Sequence, residues 1–87
     1  MFKNKSLTGK NNICGEKVYE IRKKQNPKMS QRQLAEKLQI LGIDDDKNAN
    51  QRIESGQRFV TDLELLAISK VFNVSLNELI GDYDFWK

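Results

Sequence analysis

Three capping motifs constrain the fold of this chain more than any other feature of its sequence. In each, a serine or threonine is followed three residues later by glutamine or glutamate, at Ser30-x-x-Gln33, Thr61-x-x-Glu64 and Ser75-x-x-Glu78. Each side chain of such a capping box accepts a hydrogen bond from the backbone N–H of the other residue, and a helix begins there. Because the boxes recur along one short chain, they predict a compact all-α domain.

The spacing of apolar residues supports the same fold class. The first predicted helix covers residues 13–25 and ends at Asn26, because the residue before a proline is disfavoured in the α conformation. After the first capping box the predicted inward residues are Leu34, Ala35, Leu38 and Leu41, and Gly42 ends that helix. After the second box they are Leu65, Ile68, Ser69 and Phe72. The third box opens a short helix with Leu76, Leu79 and Ile80 as its apolar residues.

Another short helix is predicted between Asp46 and Gly56. Asp46 can cap its first turn, and Gly56 can end it in the left-handed conformation. At about 100° per residue, Ala49 and Ile53 share one side, with Asn50 at its edge. The opposite side carries Lys47, Asn48, Gln51 and Arg52. These residue types can read base edges in DNA, since Arg or Lys pairs with guanine and Asn or Gln with adenine.

Length and composition exclude several classes of protein. The 87 residues support one domain with a modest core. One cysteine, Cys14, precludes an internal disulfide, and the absence of histidine excludes zinc-finger spacing. Cys14 is expected to be a small apolar helix residue rather than a reactive thiol. No catalytic constellation is present, so the chain is not expected to be an enzyme.

Two further sequence features bear on metal binding and on localisation: the aspartates at 44–46 and the length of the apolar runs. The aspartates are read as a cap and a solvated loop rather than a metal site, because no further ligands follow at regular spacing. Apolar runs are too short to cross a bilayer, and the N-terminus lacks the apolar region of a secretory signal. A cytoplasmic protein without a metal or small-molecule cofactor is therefore expected.

Charge is distributed unevenly along the chain. Residues 1–58 contain thirteen Lys or Arg and seven Asp or Glu, a net charge of +6, whereas residues 59–87 contain two and five, a net charge of −3. A basic N-terminal part fits a polyanionic partner such as DNA. The alternative is a solvated surface whose asymmetry arose by chance.

Three segments are expected along the chain. Residues 1–12 are predicted to be a flexible basic tail, either an arm that contacts phosphates or a tail without a role. Residues 13–81 form the predicted helical domain, and residues 82–87 a short aromatic tail. The off-stripe Leu66 could form an interface with the tail aromatics, or those aromatics could fold back on the core. Those aromatics are Tyr83, Phe85 and Trp86.

Three motifs stand in an order typical of one known family. They are Ser30–Leu38 (SQRQLAEKL), Arg52–Arg58 (RIESGQR) and Val74–Leu79 (VSLNEL). Together they resemble the XRE family, the helix-turn-helix domains of Cro-like and lambda-type phage repressors, over about residues 13–80. The resemblance implies a compact five-helix bundle of the lambda repressor-like DNA-binding type. Its second and third helices form the helix-turn-helix, and the third enters the major groove.

The resemblance also implies roles for individual residues. Lys47, Asn48 and Arg52 match base-contacting positions, and Gln51 lies on the same face. Gln31 matches a phosphate-contacting position, and Gln57 and Arg58 lie where the following loop meets the DNA backbone. Arg22 and Glu54 match a structural ion pair. The chain departs from the family in its longer link before the reading helix, in Asn50, which replaces an inward apolar residue, and in its three loop aspartates.

Two functions follow as expectations. The leading one is a sequence-specific double-stranded DNA-binding transcriptional regulator, a repressor that occupies an operator through the major groove, as a homodimer on DNA. The alternative is a protein-interaction module of the same fold, resembling an antirepressor or antitoxin, with little or no DNA binding. Salt-dependent binding to duplex DNA distinguishes the two.

Overall fold

A computed structural model describes residues 9–81, which form five helices. These are α1 (Gly15–Lys23), α2 (Gln31–Ile40), α3 (Lys47–Glu54), α4 (Asp62–Phe72) and α5 (Leu76–Ile80). Residues 9–81 contain no β-strand, so the predicted all-α class is confirmed for this part of the chain. The expectations for residues 1–8 and for the aromatic residues of 82–87 lie outside the described residues.

All three capping boxes form. Ser30 Oγ accepts a hydrogen bond from the backbone N–H of Gln33 at 3.0 Å, and Gln33 Oε1 accepts one from the backbone N–H of Ser30 at 2.8 Å. The boxes at Thr61 and Ser75 have the same reciprocal pattern. Each box satisfies two of the N–H groups that lack a partner at a helix start. The predicted starts of α2, α4 and α5 are therefore confirmed.

The core is built from all five helices. Its buried cluster consists of Cys14, Val18, Leu34, Leu38, Ile53, Ala67, Ile68, Phe72 and Leu79. Leu66 is exposed, as its off-stripe position predicts. The prediction for Leu41 is wrong, because its side chain is 47% exposed. Helix α2 already ends at Ile40, so Leu41 lies beyond the last helical residue and its direction no longer follows the helical period.

Helix α1 is shorter than the predicted 13–25 and lies very close to α3. It begins at Gly15 and ends at Lys23, so Cys14 is its N-cap residue. A Cβ at Gly15 would collide with the backbone carbonyl oxygen of Ile53. Only glycine permits this approach, which sets the distance between the start of α1 and the end of α3.

Residues 9–12, which the sequence pattern assigns to a flexible tail, belong to the folded part of the chain. The Asn11 backbone N–H and side-chain amide donate hydrogen bonds to the carbonyl oxygens of Gly56 and Gln57 at 2.8 and 2.7 Å. The Asn12 amide donates to the carbonyl oxygens of Ile53 and Arg58 at 3.0 and 2.8 Å. The two asparagines thus satisfy carbonyls exposed where α3 ends.

Candidate nucleic-acid interface

Helix α3 turns one polar face outward and the other face into the protein. Lys47, Asn48, Gln51 and Arg52 are all exposed. Ala49, Asn50 and Ile53 are buried on the opposite side. The four side chains that the sequence singles out therefore share one accessible surface, here called the α3 outer face.

Both ends of α3 are fixed by the residues that the sequence predicts. Asp46 caps the start, because its Oδ1 accepts a hydrogen bond from the backbone N–H of Ala49 at 2.8 Å. Gly56 follows the last turn with φ +83°, a conformation that a residue with a Cβ rarely adopts. An eight-residue helix is too short to be stable alone, so these ends and the buried face determine its position.

A buried ion pair connects α1 to the end of α3. Arg22 donates two hydrogen bonds to the Glu54 carboxylate, from Nε at 2.6 Å and from Nη2 at 2.9 Å. The two side chains are only 9% and 6% exposed. Arg22 Nη1 also donates to the carbonyl oxygen of Met29 at 3.0 Å, just before α2. The predicted structural pair is confirmed, and it joins three segments of the chain.

Gln31 takes part in the same network. Its side-chain Nε2 donates to Glu54 Oε1 at 3.0 Å, and its carbonyl oxygen accepts from Asn50 Nδ2 at 3.2 Å. Gln31 is the first residue of α2 and is half-buried. The side chain that the resemblance assigns to a phosphate is thus held in place from behind by Glu54.

A basic cleft opens beside Gln31. It is lined by Arg22, Ser30, Gln31, Arg32 and Lys47, which come from α1, the start of α2 and the start of α3. Arg32 and Lys47 are exposed, and the N-terminus of α2 adds its partial positive charge. Arg32 was not among the predicted site residues. Its position directly after Gln31, in the first turn of a capped helix, would have indicated that it lies beside this cleft.

Asn50 is buried although it is polar. Its exposed fraction is 1%, and its Oδ1 has no hydrogen-bond partner among the described residues. Its Nδ2 donates to the carbonyl oxygen of Gln31, so it links α3 to the first turn of α2. Asn50 therefore provides a directional contact between the two helices.

Arg58 lies in the loop after α3, and its side chain is already engaged within the protein. Its guanidinium is bound by two acidic residues: Nη1 donates to Glu64 Oε2, and Nη2 lies 3.4 Å from Asp45 Oδ1. Its side chain is 32% exposed, and both carboxylates are nearly buried. With a further bond from Nη1 to the carbonyl oxygen of Phe59 at 3.2 Å, both Nη atoms of the guanidinium have partners within the protein. The phosphate role of Arg58 stays a prediction, and the side chain of Gln57 is exposed beside it.

Asp45 has an unusual electrostatic environment. Burial, the hydrogen bond to Glu64 and the charges of Glu64 and Asp44 together raise the pKa of Asp45 to about 7, against the opposing effect of Arg58. Burial also acts to raise the pKa of Glu64, but hydrogen bonds from Asp45, Thr61 and Arg58 outweigh it, so that pKa is lowered. The raised pKa of Asp45 and the lowered pKa of Glu64 make Asp45 the group of this pair that binds a proton more readily. Of the three loop aspartates, Asp46 caps α3 and Asp45 is buried.

Within residues 9–81, neither a reactive thiol at Cys14 nor a group of acidic side chains suited to a metal ion is found. Burial raises the pKa of the Cys14 thiol to about 11, so the thiol stays protonated near neutral pH. This agrees with the expected apolar role of Cys14. Within residues 9–81, no three His, Cys, Asp or Glu side chains are placed to hold a metal ion. None of the helices in that range is long and apolar enough to cross a bilayer.

Comparison of the chain with protein-family profiles, with curated proteins and with solved structures gives no match. Its functional interpretation therefore depends on the residues and geometry described above.

Proposed function

We propose that this chain is a sequence-specific double-stranded DNA-binding transcriptional regulator of the XRE helix-turn-helix type. The observation that carries the proposal is the α3 outer face. Four side chains capable of reading base edges lie together there, on a helix whose other side is fixed in the core.

The dimensions of α3 suit the major groove. Eight residues at a rise of about 1.5 Å give a helix about 12 Å long, comparable with the width of that groove. In this arrangement Arg52 and Lys47 are suited to guanine, and Asn48 and Gln51 to adenine. Each bidentate contact would contribute about 1–3 kcal/mol of discrimination against the wrong base.

The basic cleft at the start of α2 would hold a backbone phosphate beside the groove. Gln31 is positioned by Glu54, and Arg32 and Lys47 contribute charge. Contacts of this kind fix the register of the protein on the duplex without reading its sequence. Because Arg58 is paired with Asp45 and Glu64, the phosphate contact after α3 is assigned to Gln57, and Arg32 replaces Arg58 as the main cationic contact.

A homodimer on a palindromic operator is part of the proposal. Leu63 and Leu66 are 67% and 45% exposed, one turn apart on α4, and provide apolar surface for a second copy. Dimers of this type read half-sites about one helical turn, or roughly 34 Å, apart. Repression would follow from occupying the operator and excluding other proteins from it.

The same exposed leucines favour the second candidate function, a protein-interaction module without DNA binding. Fluorescence anisotropy with a labelled mixed-sequence duplex at low salt tests the choice between the two. Regulator function requires binding that weakens as salt is raised, because phosphate contacts release counterions. Selection of bound sites from random duplexes should then recover a palindrome. A protein that shows no salt-dependent binding to any duplex would contradict the proposal.

A further inference from the structure

One arginine joins the two chain segments that flank α3. Asp45 immediately precedes the cap residue Asp46, and Arg58 lies in the loop that leaves α3 for α4. The Arg58 guanidinium contacts Asp45 Oδ1 on one side and Glu64 Oε2, on α4, on the other. The Asp45–Arg58–Glu64 cluster therefore connects both ends of α3 to α4.

The charges of this cluster balance only when one carboxyl group is protonated. Two nearly buried carboxyl groups share the one guanidinium. Among the described residues, the other titratable groups that interact with them are Asp44, in the same loop, and Cys14, at the start of α1, whose thiol pKa is raised slightly by Glu64. The Cys14 thiol is neutral, and Asp44 adds negative charge. With both Asp45 and Glu64 ionised, the site would carry an uncompensated buried charge.

A buried carboxyl oxygen without a hydrogen-bond donor points to the same conclusion. Asp45 Oδ2 is buried, and no donor from the described residues reaches it. A buried carboxylate oxygen without a donor is costly, whereas a protonated carboxyl group can itself donate to a neighbouring carboxylate. The geometry thus fits a neutral Asp45 that donates to Glu64 while Glu64 accepts from Arg58.

We propose that the Asp45–Arg58–Glu64 cluster is a proton-dependent tether that fixes the start of α3 against α4. With the proton present, Asp45 stays buried and Asp46 is held in its capping position. When the proton is lost to solvent, repulsion between the two carboxylates favours rotation of Asp45 into water. The loop before α3 is then held less tightly, and so is the α3 outer face.

The tether should make DNA binding depend on pH near neutrality. This consequence rests on the proposed function, whereas the tether itself is a property of the free protein. Raising the pH from about 6 to about 8.5 should weaken operator binding about tenfold, within the usual range for coupling between two sites. Binding should weaken as the pH rises, because α3 is most firmly positioned when Asp45 is protonated.

The experiment compares Asp45→Asn with Asp44→Asn at constant ionic strength. Both variants remove one carboxylate from the same loop, but Asp44 is exposed whereas Asp45 is buried. Asparagine at position 45 can donate to Glu64 as the protonated acid does. In the free protein, NMR follows the Asp45 carboxyl carbon and the protection of the Ala49 amide, corrected for its intrinsic exchange rate. In the complex, anisotropy gives the operator affinity at each pH.

We expect the wild-type Asp45 carbon to titrate near neutrality and Ala49 protection to fall over the same range. Asp45→Asn should abolish the pH dependence of Ala49 protection and of operator affinity, and Asp44→Asn should keep both. An Asp45 carbon that titrates below about pH 5 in the wild type would overturn the tether, even if no variant folds. If Ala49 protection changes as expected but no duplex binds at any pH, the tether stands and the proposed function fails. If DNA binding is unchanged by pH while the carbon titrates, the link to α3 is refuted.

Discussion

Replacing Arg22 by methionine tests the buried ion pair that connects α1 to the end of α3. Methionine keeps much of the apolar stem of arginine but removes all three hydrogen bonds that the guanidinium donates to Glu54 and Met29. The Glu54 carboxylate would then be left in a site where its side chain is 6% exposed. Gln31 Nε2 would still donate to it.

The expected loss of stability follows from the burial of the Glu54 carboxylate. Removing one partner of a buried pair costs about 3–5 kcal/mol, because the other charge remains buried without compensation. Since Gln31 retains its hydrogen bond to Glu54, we expect a loss near 3 kcal/mol in the free energy of unfolding. A domain of this size has roughly 4–13 kcal/mol in total, at 0.05–0.15 kcal/mol per residue. The melting temperature should fall by about 12–24 °C, at 4–8 °C per kcal/mol.

Urea unfolding followed by circular dichroism measures this loss, with an unchanged m-value showing that the folded and unfolded states are still comparable. Lys17→Met is the matched control on the same helix. It breaks only the exposed Lys17–Glu20 pair, whose atoms lie 3.8 Å apart. That variant should cost less than about 0.5 kcal/mol.

The double variant Arg22→Met/Glu54→Met completes the test. With both charges removed, the free energy of unfolding should return to within about 1 kcal/mol of the wild-type value, because no buried charge remains. The reasoning is refuted if Arg22→Met costs less than about 1 kcal/mol. It is also refuted if the double variant loses the sum of the two single losses, since the residues would then act independently.

Other predictions concern the DNA surface and pH. Arg52→Ala should weaken operator binding by about 1–3 kcal/mol and relax preference at one base pair, measured by anisotropy on single-substitution operators, whereas Lys70→Ala on α4 should leave base preference unchanged. Arg32→Ala should weaken binding to all duplexes alike and reduce the slope of log K against log salt by about 1. Because the pKa of Asp45 is raised in the folded state, its contribution to stability is complete below the ordinary aspartate pKa. Urea unfolding should therefore show stability falling between about pH 4 and pH 7, the ordinary and the folded-state pKa of Asp45, and Asp45→Asn should remove that slope.

Features governed by neighbouring residues could be predicted from the sequence. The capping boxes, the Asp46 cap and the Gly56 terminus each depend on residues within one or two turns of each other. The division of α3 into outer and buried faces follows from helical periodicity alone. The wrong prediction for Leu41 shows the limit of that reasoning. The helical period was extended one residue beyond Ile40, the last residue of α2.

Contacts between distant segments could not be predicted from local patterns. The Arg22–Glu54 pair spans 32 residues and was expected only from the family resemblance. Asn12 reaches Arg58 across 46 residues, and nothing in its sequence neighbourhood indicates this. Arg58 carries the same charge whether it faces a phosphate or an acidic pair, so its charge alone does not reveal its partner.

Polar contacts, rather than apolar packing alone, determine how α3 is oriented. Asn50 and Glu54 connect it to α1 and α2, and the Asp45–Arg58–Glu64 cluster connects its flanks to α4. Apolar contacts tolerate small rotations and shifts, whereas hydrogen bonds are directional and require a specific alignment. A reading helix needs such alignment, because contacts to base edges lose their value when side chains are displaced by about 1 Å.

The double variant Arg22→Met/Glu54→Met separates orientation from stability. If polar contacts serve to orient α3, the variant should fold with nearly wild-type stability and yet discriminate less well between operator and random duplex. We expect its operator affinity to fall by about 1–2 kcal/mol while its affinity for random duplex is retained, a difference that anisotropy at matched salt resolves. Equal discrimination by the variant and the wild type would show that apolar packing suffices to position α3. The buried ion pair would then have no part in recognition, and only its effect on stability would remain.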